Sequence, residues 1–96
     1  MTLIIYDKEY KVHIKRSTYA NNGNLALQLL EDDGFPFATL TVNIDKLPQG
    51  YAYLDTNNHP WAEKFVDDNH LGEYTGFYAQ SGFCEYPLYR FYEEEI

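Results

Sequence analysis

"LALQLLEDDGFPFATLTVNI", residues 25–44, decides the fold class. Two apolar runs flank Asp32-Asp33-Gly34, and apolar side chains recur at every second position: Leu25, Leu27 and Leu29 in the first run, Ala38, Leu40, Val42 and Ile44 in the second. A period of two is that of a strand with one face against a core. Asp-Gly between two such runs signals a hairpin, because glycine accepts the positive φ that a tight reversal requires. The stretch therefore predicts two antiparallel strands with their apolar faces on a common core.

The same pattern extends upstream. In "TLIIYDKEYKVHIKRS" (2–17) two apolar-rich runs surround Asp7-Lys8-Glu9, and Tyr10, Val12 and Ile14 alternate with Lys11, His13 and Lys15. This reads as a half-buried strand paired with its predecessor. "YANNGN" (19–24) is turn chemistry, since Asn and Gly both tolerate positive φ. The first half is thus an antiparallel meander of four strands.

Downstream, "LPQG" (47–50) closes that unit and "YAYL" (51–54) reads as a short further strand. The period then changes. "TNNHPWAEKFVDDNHLG" (56–72) offers Asn58 or His59 as a cap, Pro60 in the first turn, Trp61, Ala62, Phe65 and Val66 at helical spacing, and Gly72 as a stop. Its outer face carries Glu63, Lys64, Asp67 and Asp68. After it, "TGFYAQ" and "FCEYPLYRFY" bracket Ser81-Gly82 as a second hairpin. The expectation is one α+β domain over residues 1–96: a mainly antiparallel sheet of about six strands, with one helix at about 59–70 packed on one face.

Charge bounds the partners. Fifteen Asp and Glu against seven Lys and Arg leave a net charge of −8. Residues 1–48 hold five basic and six acidic side chains, net −1, whereas residues 49–96 hold two and nine, net −7. Such a chain repels a bare phosphate backbone and an anionic bilayer, and its natural complement is a basic protein surface. One cysteine makes no internal disulfide, the N-terminus lacks the pattern of a secretory leader, and no stretch approaches the roughly 18 apolar residues of a membrane span. The chain is expected to work in the cytoplasm, with neither direct nucleic-acid nor membrane contact.

No chemical constellation stands out. Cys84, between Phe83 and Tyr86 in a strand pattern, fits a small buried hydrophobe better than a nucleophile, since no spacing couples it to His13, His59 or His70. Those histidines and the lone cysteine offer no pair at metal-ligand spacing, and no glycine-rich loop with a lysine leads into the helix, so no metal, nucleotide or other cofactor is expected. Glu85 is solvent-exposed if Cys84, Tyr86 and Leu88 face the core, and buried with Phe83, Pro87, Tyr89 and Phe91 otherwise; the exposed arrangement is expected. The anomaly is ten tyrosines, with Tyr74, Tyr78, Tyr86, Tyr89 and Tyr92 in the acidic half. They serve equally as core-and-rim packing or as a binding face.

Read together, "STYANNGNLALQLLEDDGFPFATLTVNI", "TNNHPWAEKF", "LGEYTG" and "SGFCEYPLYRF" resemble a family of small uncharacterised proteins carried by bacteriophages and integrative or conjugative elements. The likeness runs from about Tyr10 to Phe91. Its recurring elements are the turn Tyr19 to Gly23, the strand end Thr41 to Asn43, the helix entry Asn57 to Trp61 and the segment Ser81 to Cys84. Where such proteins often carry an arginine after Thr-Gly, this chain has Phe77.

With the charge pattern, the resemblance implies a non-enzymatic acidic protein of a mobile element in a bacterial host cell. Its partner would be a host protein with a basic nucleic-acid-binding surface, inhibited in the manner of anti-CRISPR or anti-restriction proteins, by DNA mimicry in the extreme case. The expected contact residues are Glu63, Asp67, Asp68, Glu73, Glu93, Glu94 and Glu95, with Tyr74 and Tyr78 as anchors. The alternative is an adaptor in element replication or transfer, a homodimer through a strand edge such as residues 83–92.

Overall fold

The run at 25–44 forms its hairpin and then leaves the sheet it started in. A computed structural model describes residues 1–93. β3 (Leu25–Glu31) turns through Asp32-Asp33-Gly34 into β4 (Pro36–Thr39), with Gly34 at φ 90°. Leu25, Leu27 and Leu29 are buried, as their alternation requires. The second run is not one strand. At Leu40 the chain passes from β4 to β5 (Thr41–Val42), which belongs to a different sheet.

The Leu40 backbone serves both sheets. Its N–H donates to the Leu27 carbonyl at 2.9 Å in the first, and its carbonyl accepts from the Asp55 N–H at 2.7 Å beside the second. Its side chain is fully buried. Strands that change sheets at such a corner fold an antiparallel surface over on itself and enclose a core between the two layers. One sheet therefore has the order β1 (Thr2–Ile5), β2 (Lys8–Thr18), β3, β4; the other has β5, β6 (Tyr51–Leu54), β8 (Cys84–Phe91), β7 (Gly72–Ser81). All pairings are antiparallel. The α+β class stands, but among the described residues as eight strands in two sheets instead of about six in one.

The corner is locked by side chains. Thr41, itself buried, receives the Leu27 N–H on its Oγ1 at 3.3 Å, and that hydroxyl lies 3.0 Å from the Tyr19 hydroxyl. Next to it, Asn22 and Asn24 donate their amides to Asn43 Oδ1 at 3.1 and 3.0 Å, and Asn43 returns a bond to Asn21. The asparagine-rich turn at 19–24 is thus stitched to the strand end at 41–43. A backbone that switches layers loses regular ladder partners, and the Thr41 hydroxyl replaces one of them at the Leu27 N–H while the asparagine amides tie the turn to the strand end.

Helix α1 (Ala62–Asp68) is shorter than the expected 59–70 and starts differently. Neither Asn58 nor His59 caps it; Trp61 occupies the cap position without a side-chain bond. The approach is wound by buried Asp55, whose carboxylate accepts from the Asn58 backbone N–H at 3.2 Å and the Asn58 amide at 2.9 Å. Asp55 also accepts the His59 N–H on its carbonyl at 2.9 Å. The stop is His70, not Gly72. His70 adopts φ 52°, with its N–H bonded to the Asp67 carbonyl at 3.2 Å and the Leu71 N–H to Val66 at 3.0 Å, the paired bonds of a Schellman end. Gly72 instead permits close strand approach, since a Cβ there would lie 2.6 Å from the Arg90 carbonyl.

Ala62, Phe65 and Val66 face inward. They join Leu3, Val12, Leu54, Leu71, Tyr89 and Phe91 in one core, with Trp61 and Phe37 packed at its margin. No helix among the described residues is long and apolar enough to cross a membrane. The turns also shift slightly from expectation: Tyr6-Asp7, both at positive φ, join β1 to β2, and Gly82-Phe83 join β7 to β8.

The corner yields a test. Thr41→Val keeps the shape but orphans a buried N–H, so it should lower unfolding free energy by about 1–3 kcal/mol in urea denaturation. Tyr19→Phe leaves that N–H paired and should cost less. Equal, negligible losses would show that the hydroxyl does not hold the corner.

Candidate functional site

Beyond the core, β7 and β8 run on as a projecting hairpin, and their register decides which side chains share a face. Tyr74 lies opposite Tyr89, Tyr78 opposite Pro87 and Gln80 opposite Glu85. Alternation puts all six on one face. Between the first two pairs β7 carries extra residues, with Gly76 at φ 91°, so the edge strand bulges and both tyrosines still reach the same side.

Near the helix this face is core: Pro87, Tyr89 and Phe91 are buried. The other face holds Cys84, Tyr86 and Leu88, all half-buried. That reverses the expected assignment. Glu85 is exposed as expected, but for another reason: it sits on the core-facing side at the point where the hairpin outruns the core. Cys84 is accordingly half-buried on the outer face instead of a core hydrophobe, and its side chain, in hydrogen-bonding reach, raises the Tyr86 phenol.

Where the hairpin passes the entry to α1, a groove of about 360 Å³ opens, lined by Thr56, Pro60, Glu63, Tyr74, Tyr78, Glu85 and Pro87. Tyr74 and Tyr78 are 49% and 59% exposed, so their rings stand free for a partner. Tyr74 is positioned from beneath by the Tyr89 ring, 5.8 Å away and tilted by 36°. Tyr89 in turn donates its hydroxyl to Asp67 Oδ1 at 3.4 Å. Burial, then the nearby Glu63 and Asp67 carboxylates, push the Tyr89 phenol far above its ordinary value. Among the described residues neither Glu63 nor Glu85 takes part in a salt bridge.

The other expected contact residues divide. Asp68 is paired with Lys64 at 2.9 Å along the helix. Glu73 sits on the opposite face of β7 from Tyr74, where its Oε1 accepts from Arg90 Nε and Nη2 at 2.9 and 2.7 Å. That pair raises the Arg90 guanidinium further. Glu93 is exposed at the far end of β8, and Glu94 and Glu95 lie outside the described residues. The fold therefore gathers Glu63, Tyr74 and Tyr78, ties exposed Asp67 to the Tyr89 hydroxyl outside the groove lining, and neutralises Asp68 and Glu73 in ion pairs.

Sequence reasoning missed four participants, Thr56, Pro60, Glu85 and Pro87. Glu85 was judged only by strand alternation, and Pro60 and Thr56 only by their role at the helix entry. Phe77 and Phe83, both strongly exposed on the same hairpin, were missed as surface features as well. The signal was the turn: moving the loop by one residue, to Gly82-Phe83, leaves Phe83 without a core to enter. Of the strand edge at 83–92 offered for self-association, Leu88–Arg90 is covered by β6, whereas Cys84–Pro87 pairs with β7 alone and keeps its other side open; the outer edge of the sheet there is β7.

Tyr89 links site and stability. Above its ordinary value near 10, the unfolded chain releases the phenol proton while the folded chain retains it, so stability falls as pH rises through that region. Below about pH 10 the group contributes no pH dependence. Tyr89→Phe removes the effect. In urea denaturation the advantage of the wild type over the variant should therefore be constant from about pH 8 to pH 9.5 and narrow as pH rises from about 10 to 11. A difference independent of pH would mean that the phenol ionises equally well in both states.

A family model described as "Domain of unknown function (DUF4313)" matches residues 13–96. Comparison with curated proteins and with solved structures returned no match.

Proposed function

Because the chain belongs to that family, whose description carries no activity, we propose from the geometry that it is a non-enzymatic binding protein offering an acidic, aromatic groove to a basic protein surface. The observation that carries this is the groove itself: two exposed tyrosine rings beside two carboxylates that make no salt bridge among the described residues. Tyrosine is among the residues enriched in binding hot spots, where its rigid ring and hydroxyl serve together. The net −7 of residues 49–96 adds long-range attraction for a cationic partner.

The partner in this reading is a host protein that handles nucleic acid, because such proteins carry the strongest cationic channels in a bacterial cytoplasm. The chain would be the product of a phage or mobile element, blocking a defence enzyme of the CRISPR or restriction type. With Asp68 engaged by Lys64 and Glu73 by Arg90, its surface is a short plug for one basic site and not a long track of phosphate-like charges. Inhibition by filling a channel fits that surface better than imitation of an extended duplex. An adaptor role through self-association at this hairpin would use β7, where the bulge interrupts the edge, or the Cys84–Pro87 side of β8 that β6 does not reach, and like charge opposes a second copy at both.

The immobilised protein, exposed to lysate of a bacterial host, should retain a basic nucleic-acid-handling protein at about 0.1 M salt and release it by about 0.5 M, with duplex DNA competing for it. Retention indifferent to salt and to DNA would overturn the reading. A concentration-dependent dimer in light scattering, with no such capture, would favour the adaptor.

A further inference from the structure

We propose that the groove between the entry to α1 and the β7–β8 hairpin receives a single arginine side chain of the partner, its guanidinium stacked on Tyr74 or Tyr78 and hydrogen-bonded by Glu63 and Glu85. This rests on the reading of the surface as an acidic binding face and narrows it to one side chain.

The lining defines the guest. One carboxylate comes from the helix and one from the hairpin, two phenol rings stand beside them, and Pro60 and Pro87 complete an apolar surface. No lysine, arginine or histidine lines the groove. A cation satisfies both halves of this chemistry, through charge at the carboxylates and through the negative faces of the rings. A nucleobase would satisfy only the rings, and its phosphates would meet Glu63, Glu85 and a chain of net charge −8.

Between the two protein cations, the planar one fits better. A guanidinium stacks flat on an aromatic ring while its edge still presents parallel donors to carboxylates, whereas an ammonium is a strongly hydrated point charge that cannot do both at once. The chain already contains this arrangement in miniature. Arg90 lies 5.2 Å over the Tyr92 ring and directs Nε and Nη2 to the Glu73 carboxylate. The groove has the same two components, one ring type and one acid, each present twice and neither engaged by a cation among the described residues.

The experiment is an NMR titration of the isotope-labelled protein at about 20 mM salt, where exposed charges are weakly screened. The probes are acetyl-triarginine amide, acetyl-trilysine amide and the neutral isostere acetyl-tricitrulline amide. Triarginine should shift the resonances of Tyr74, Tyr78 and Glu85 first and bind at least about threefold tighter than trilysine, while tricitrulline produces no saturable shift. Glu63→Gln with Glu85→Gln should weaken triarginine binding by at least about fivefold, and Tyr78→Ala by a similar factor. Asp32→Asn with Asp45→Asn, which removes the same charge elsewhere, should stay within about twofold. Unchanged spectra away from the substitutions establish that each variant is folded.

Shifts centred away from the groove, or equal losses in the two double variants, would overturn the assignment while leaving the acidic binding face intact. Equal affinity for triarginine and trilysine would overturn the guanidinium preference. Absence of any saturable binding would overturn both the assignment and the function on which it rests.

Discussion

The structure turns on the backbone of Leu40, whose N–H is spent in one sheet and whose carbonyl is spent beside the other. A residue that changes layers must satisfy both polar groups in different directions while burying its side chain, because an orphaned peptide group inside a protein costs about as much as a lost hydrogen bond. The acceptor side leads to Asp55, and Asp55 also winds the turn through Asn58 and His59 that precedes α1. One short relay thus fixes the angle between the sheets and the entry of the helix. The entry side of the groove inherits its placement from that relay, since Thr56, Pro60 and Glu63 follow Asp55 by one, five and eight residues.

Much of the architecture was legible as period. Leu25, Leu27 and Leu29 announced a buried strand face, and Asp32-Asp33-Gly34 announced its reversal. The change of period after Thr56 placed the helix. What alternation could not reveal was the corner: Ala38, Leu40, Val42 and Ile44 keep a perfect period of two across it, yet Leu40 alone is fully buried and the next buried residue is Thr41. A layer switch is a tertiary event, set by which backbone groups find partners in two sheets, and it leaves no trace in hydrophobic spacing.

The site was legible in kind more than in place. The coincidence of tyrosines and acids after residue 49 pointed to the right half of the chain and picked out Glu63, Tyr74 and Tyr78. Strand register then separated neighbours that the sequence could only group: Glu73 went to the opposite face with Arg90, while Tyr74 joined Glu85, which the expected contact set had omitted. The bulge at Gly76 was invisible for the same reason, although it is what sets Tyr78 opposite Pro87 instead of opposite Glu85. The asparagines of the 19–24 turn had read as turn formers only. Their amides serve equally as long-range ties to Asn43, a role that depends on a strand end about twenty residues away.

Helix α1 spans seven residues and has no side-chain cap at its start. A segment that short has almost no helical stability of its own in water and persists through the docking of Phe65 and Val66. Glu63 is therefore held by tertiary contacts and not by a self-sufficient helix. Any molecule that grips Glu63 from outside also clamps this segment, so occupancy and thermal resistance are thermodynamically linked, and tightness at the surface is drawn from the same reserve that keeps the helix in place.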